Sequence, residues 1–130
     1  MEIPQLKRIM YVDDDPDLQD IVRVGLETRG GFTVTCCDSG NQALEEIANF
    51  KPDLVLLDMV LPGISGLQLL ERMRHLRGVP WIPVIFLTSK IRPDQLEDYE
   101  KLGVIGVINK PLNPLELRHQ VREIWERSPG

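Results

Sequence analysis

The chain predicts an α/β protein in which five parallel strands form a doubly wound sheet with helices on both faces. Three observations lead there. Apolar runs alternate five times with stretches of helical period. The central runs, "LVLL" and "VIFL", are continuous rather than alternating, as in strands covered on both sides. The runs close on polar residues, acidic in two cases, so the strand ends rather than the helices carry the unusual chemistry. Right-handed crossovers follow from such connectivity.

The first strand is "RIMYV". After Pro16, the apolar residues Leu18, Ile21, Val22 and Leu26 mark one face of a helix that Gly30-Gly31 ends. "FTVTCC" alternates and suits a strand nearer a sheet edge. Ser39 is placed to cap a second helix with Ala43, Leu44, Ile47 and Ala48 on its inner face, broken at Lys51-Pro52. "DLVLLDM" is the third strand and "LPGISG" a loop. Leu69, Leu70 and Met73 mark a third helix ending near Gly78, and "WIPVIFLTS" is the fourth strand. "RPDQLEDYEKLG" gives a weaker fourth helix with Leu96, Tyr99 and Leu102 as its stripe. "VIGVIN" is the fifth strand and "KPLNP" a turn, and Leu117, Val121 and Ile124 define the last helix.

Composition bounds the function. One domain over residues 1–130 is long enough to bury a core unaided. A net charge of −5 argues against nucleic acid or an anionic membrane as a direct partner. No apolar stretch nears the roughly 18 residues of a membrane span, and "MEIPQLKR" has no secretory pattern. Cys36 and Cys37 are adjacent, so their side chains diverge along a strand and no ordinary disulfide is expected. A reduced, cytoplasmic compartment fits. His75 and His119 read as surface residues, and Trp81 as packing.

In open parallel sheets ligands bind at the carboxyl ends of the strands. The first strand ends in Asp13, Asp14 and Asp15, the third in Asp58, the fourth in Thr88-Ser89 and the fifth in Asn109-Lys110. In the strand order 2-1-3-4-5, Asp13, Asp14 and Asp58 converge, flanked by Thr88 and Lys110. Carboxylates about 4 Å apart repel by about 4 kcal/mol near a protein surface, so such a group calls for a cation. Asp15 and Asp17 instead suit the start of the first helix, as cap and first-turn acid. The bland reading of the other aspartates is the same turn chemistry. It is weakened because Asp58 and Lys110 arrive in step.

On "YVDDDP", "LVLLDMVLPGISG", "FLTS" and "NKP", the whole chain resembles the receiver domain of bacterial two-component response regulators. The resemblance implies a flavodoxin-like (βα)5 fold of order 2-1-3-4-5. It implies that Asp58 accepts a phosphoryl group from a phosphohistidine of a histidine kinase or histidine phosphotransfer protein. Mg²⁺ or Mn²⁺ would be held by Asp14, Asp58 and the Val60 backbone carbonyl, with Asp13 acting mainly through a water. Lys110 and Thr88 would contact the phosphoryl group, and Lys110-Pro111 would be cis. The phosphorylated form would present a changed surface on the fourth helix, fifth strand and fifth helix. Its reader would be a downstream protein, an output domain or a second copy in a phosphorylation-dependent dimer. Kinase specificity would lie on the first helix and neighbouring loops, and no metabolite would be turned over.

Two residues depart from that pattern. Val107 stands where the family often has an aromatic, and Ser65 where many members have Asp. Val60 and Lys90 occupy positions that tune attack of water on the phosphoaspartate, and an apolar Val60 cannot orient a water, so a long phosphoryl lifetime is expected. Two other functions compete. A phosphohydrolase with an Asp nucleophile would want a D-x-D-x-T/V pattern on the first strand, which "DDDPD" does not supply. A receiver that has lost phosphorylation and only docks would not need the intact Asp13, Asp14, Asp58, Thr88 and Lys110.

Overall fold

A computed structural model describes residues 5–61, 63–89 and 93–128, with the backbone alone for 93–96. Five strands alternate with five helices: β1 Arg8–Val12, α1 Pro16–Val22, β2 Thr33–Cys37, α2 Gly40–Phe50, β3 Leu54–Asp58, α3 Gly66–Arg74, β4 Val84–Thr88, α4 Pro93–Glu100, β5 Val104–Asn109 and α5 Leu117–Arg127. All neighbouring strands pair in parallel, in the order β2-β1-β3-β4-β5.

The period of two along each strand sorts the core into two layers. Met10, Val12, Val55, Leu57, Val84 and Phe86 face α2, α3 and α4 through Ala43, Ile47, Leu69, Leu70, Met73 and Tyr99. Ile9, Tyr11, Leu54, Leu56, Ile85 and Leu87 face α1 and α5 through Val22, Leu26, Leu117, Val121 and Ile124. Every residue of β3 and β4 is buried. At about 1.5–3 kcal/mol per fully buried Leu, Ile, Val or Phe side chain, these two strands anchor the sheet.

The caps follow the local sequence. The Asp15 side chain accepts from the Asp17 and Leu18 amides, and Pro16 opens α1 where no amide is needed. Ser39 caps α2 by accepting from the Gln42 amide. Ser65 and Gln68 form a reciprocal capping box at α3. Lys51 closes α2 in the left-handed conformation at φ 55° just before Pro52.

Several expectations need correction. Beyond Val22 the first helix runs on as π-type turns over Arg23–Thr28, which still bury Leu26. Ala48 is exposed, because it lies one step outside the stripe of Ala43 and Ile47. α3 stops at Arg74 rather than near Gly78. β4 begins at Val84, so Trp81 is not in the strand and is 59% exposed. Lys90 lies outside the described residues, as does the side chain of Leu96.

Candidate functional site

The parallel register lines up the carboxyl ends of the strands. Val12 pairs with Cys37 and with Leu57, Asp58 with Leu87, and Thr88 with Asn109. Asp13, Asp58, Thr88 and Lys110 therefore rise from one edge of the sheet. The β1 end is tied to its neighbour by the Asp13 amide, which donates to the Cys37 carbonyl at 3.0 Å. Gln19 Nε2 braces the same point by donating to the Asp13 carbonyl and to Asp38 Oδ1, at 2.7 and 2.8 Å.

Asp58 is 6% exposed. Its Oδ1 accepts the Val60 amide at 3.1 Å, and its Oδ2 accepts from Lys110 Nζ at 2.9 Å. Gly66 keeps this corner tight, since a β-carbon there would lie 2.5 Å from the Asp58 carbonyl oxygen. Asp13 is 1% exposed. Its Oδ1 accepts from the Asp15 amide at 3.1 Å and its Oδ2 from the Tyr11 hydroxyl at 2.6 Å, with Lys110 Nζ at 3.9 Å. Burial pushes the Asp13 carboxyl up; the hydrogen bonds from Tyr11 and Asp15 pull it down, the Asp58 charge pushes it up, and Lys110 pulls it down. Thr88 is buried at the end of β4, and its carbonyl accepts the Lys110 amide at 2.8 Å. The Lys110-Pro111 bond is cis, as the resemblance implied.

The structure thus brings Asp13, Asp58 and Lys110 into one ion-paired group, with Thr88 beside it. Asp14 is adjacent in sequence but exposed, and its carboxylate is not part of that group. Val60 turns its side chain outward, 80% exposed, which leaves its backbone for the site. Among the described residues no three acidic, His or Cys side chains are gathered closely enough to hold a metal ion unaided. The donor chemistry fits Mg²⁺ nonetheless. Two carboxylates, Asp13 and Asp58, face one ammonium, their donors are hard oxygens, and Mg²⁺ ordinarily binds through one or two carboxylates while keeping several waters.

Sequence reasoning missed Tyr11. In the sequence it stands only within an apolar run, yet it is fully buried with its hydroxyl on Asp13, and burial, then that hydrogen bond, push the phenol far up. The signal was present: Tyr11 and Asp13 stand two apart on a strand and so share a face.

The fold is thus a doubly wound parallel sheet with a lysine-paired aspartate, Asp58, at its carboxyl edge. A family model for the response regulator receiver domain matches residues 9–122, and the chain belongs to that family. It is 35% identical over 125 residues to the phosphate regulon transcriptional regulatory protein PhoB of Pseudomonas aeruginosa, covering 95% of this chain and 54% of that one. The CheY-like receiver domain protein of Methanospirillum hungatei superposes with a TM-score of 0.78 at 31% identity, covering 94% and 95% of the two chains. Chemotaxis protein CheY4 of Vibrio cholerae, at 22% identity, TM-score 0.82 and coverage of 92% and 99%, agrees in fold. The chain spans about half the length of the first curated relatives it matches. Among the described residues no helix is long and apolar enough to cross a membrane.

Proposed function

We propose that this receiver domain is a phosphorylation-controlled switch in which Asp58 takes a phosphoryl group from the phosphohistidine of a histidine kinase or phosphotransfer protein. The observation that carries the reading is the 2.9 Å contact of Lys110 Nζ with Asp58 Oδ2 at the carboxyl edge of β3. Asp58 Oδ1 is held by an amide and Oδ2 by the lysine, so the carboxylate is aimed before any donor arrives. An Asp58 oxygen attacks phosphorus in line, the P–N bond breaks, and the imidazole leaves with the electron pair and takes up a proton. Lys110 follows the charge from the carboxylate to the phosphoryl oxygens as a mobile point charge. Thr88, one strand away, offers its hydroxyl to the phosphoryl group and so draws on β4.

Asp14, Asp58 and the Val60 carbonyl would hold Mg²⁺ or Mn²⁺ directly, and Asp13 through a water. When bound, the cation supplies neutralisation of charge on the nucleophile and the phosphoryl oxygens. The phosphorylated domain would act in the cytoplasm on a partner that reads the face of α4, β5 and α5, without turning over a metabolite. Intact mass after incubation with acetyl phosphate tests this. A single adduct with Mg²⁺ that disappears with EDTA is expected. Sustained release of phosphate from an aryl phosphate over many turnovers would favour a phosphohydrolase, and no adduct in any condition a docking module.

A further inference from the structure

Tyr11 is a neutral donor fixed against a buried anion. Its hydroxyl lies 2.6 Å from Asp13 Oδ2, in the range of a strong O–H to carboxylate hydrogen bond. The ring is wholly enclosed between α1 and α5 in the core, with Cys36 and Leu56 beside it in register. The strand neighbours beside the ring, Cys36 and Leu56, carry a thiol and an alkyl group, and the hydroxyl's hydrogen bond goes to Asp13. The same Asp13 oxygen lies 3.9 Å from Lys110 Nζ, against 2.9 Å for Asp58 Oδ2. Two buried carboxylates therefore compete for one ammonium, and a neutral hydroxyl already serves one of them.

We infer that Tyr11 is a positioning residue: by occupying Asp13 Oδ2 it leaves Lys110 on Asp58, where the ammonium tempers that carboxylate's hold on a divalent cation. The inference rests on the phosphoacceptor reading of Asp58 and deepens it. Without the hydroxyl, Asp13 Oδ2 is a buried anion lacking its principal donor. Lys110 then moves toward Asp13 and away from Asp58, and Asp58, relieved of the ammonium, becomes a stronger ligand for a cation. The two consequences have opposite signs. Cation binding tightens while phosphoryl transfer slows, because Lys110 no longer waits where the phosphoryl oxygens arrive. A hydroxyl that served only folding would weaken both.

The test is Tyr11→Phe, which keeps the ring, in the full chain beside the wild type. Mn²⁺ affinity is read from the electron paramagnetic resonance of free Mn²⁺, and the initial rate of adduct formation from acetyl phosphate is read at saturating Mg²⁺. The expected result is Mn²⁺ binding about 3- to 10-fold tighter with a rate about 10-fold lower. In a Lys110→Met background, Tyr11→Phe lowers the rate no further. Tighter binding with an unchanged rate, or a parallel loss of both, overturns the inference. A wild type that binds Mn²⁺ but forms no adduct sinks the phosphoacceptor reading, whereas a wild type that forms it and a variant identical in both readouts sinks only the role of Tyr11.

Discussion

The carboxyl edge of β1 and β3 and the outer flank at β5 hold their polar groups in opposite ways. At the edge, each oxygen of Asp13 and Asp58 has a named donor: Tyr11, the Asp15 amide, the Val60 amide and Lys110. On the flank, the Arg74 guanidinium donates through Nε to the Leu102 carbonyl and stacks 4.1 Å from the Trp81 ring. One of its buried nitrogens has no partner among the described residues, and burial lowers the group to about 10. The rest of the flank is Ile105, Gly106 and Val107, half-buried along a groove shared with Trp81 and Ile124. Directional bonds fix the chemical edge, whereas contact and close approach fix the flank. Under the proposed function, the edge would need directional bonds to meet an incoming phosphorus, and a flank that changes on phosphorylation would need only contact.

Substitutions that separate the two regions follow in order of size. Lys110→Met should lower the rate of adduct formation by about 100-fold, as for loss of one preorganised charge donor at a reacting centre. An initial-rate assay checks it, and a change below tenfold would place the lysine outside the chemistry. Gly66→Ala forces a β-carbon against the β3 backbone and should cost about 1–3 kcal/mol in urea unfolding while also slowing transfer. Trp81→Ala on the flank removes the cation–π contact and should cost about 0.5–1 kcal/mol with the transfer rate unchanged. A rate loss there would show that the two regions are not separable.

Smaller effects sharpen the picture. Mg²⁺ at ten times its dissociation constant should stabilise the wild type by about 1.4 kcal/mol, and EDTA should remove the gain. Burial first, then the Glu46 charge, pushes the Cys37 thiol up to about 12 from an ordinary 9.0. Since the folded value is the higher, its stabilising contribution is complete below pH 9.0 and is lost as the pH rises toward 12. Cys37 should accordingly resist iodoacetamide at pH 8 in the folded chain. With Val60 exposed and apolar, the adduct should persist for minutes, and a lifetime of seconds would contradict that expectation.

Much of this was legible in the sequence, for physical reasons. Short continuous runs such as "VIFLT", rich in β-branched and aromatic residues and alternating with helical stretches, point to strands buried on both faces, and β4 is one. Asp58 and Lys110 stood out because charge at the end of an apolar strand is costly without a partner. Periodicity could not reveal the π-type turns after Val22, since Val22 and Leu26 face the core either way. Trp81 misled because composition extended β4 by three residues, whereas Pro83 stands just before the first paired residue, Val84. Tyr11 was hidden by its own apolar ring, and only the third dimension puts its hydroxyl on Asp13.

The most direct test of the central idea is to locate the phosphoryl group. Reduction of the acetyl phosphate adduct with borohydride turns an aspartyl phosphate into homoserine, which peptide mapping can place. Homoserine at position 58 alone, absent from Asp58→Asn, is the predicted result. Homoserine at position 13 or 14, or an adduct that survives in Asp58→Asn, would contradict it.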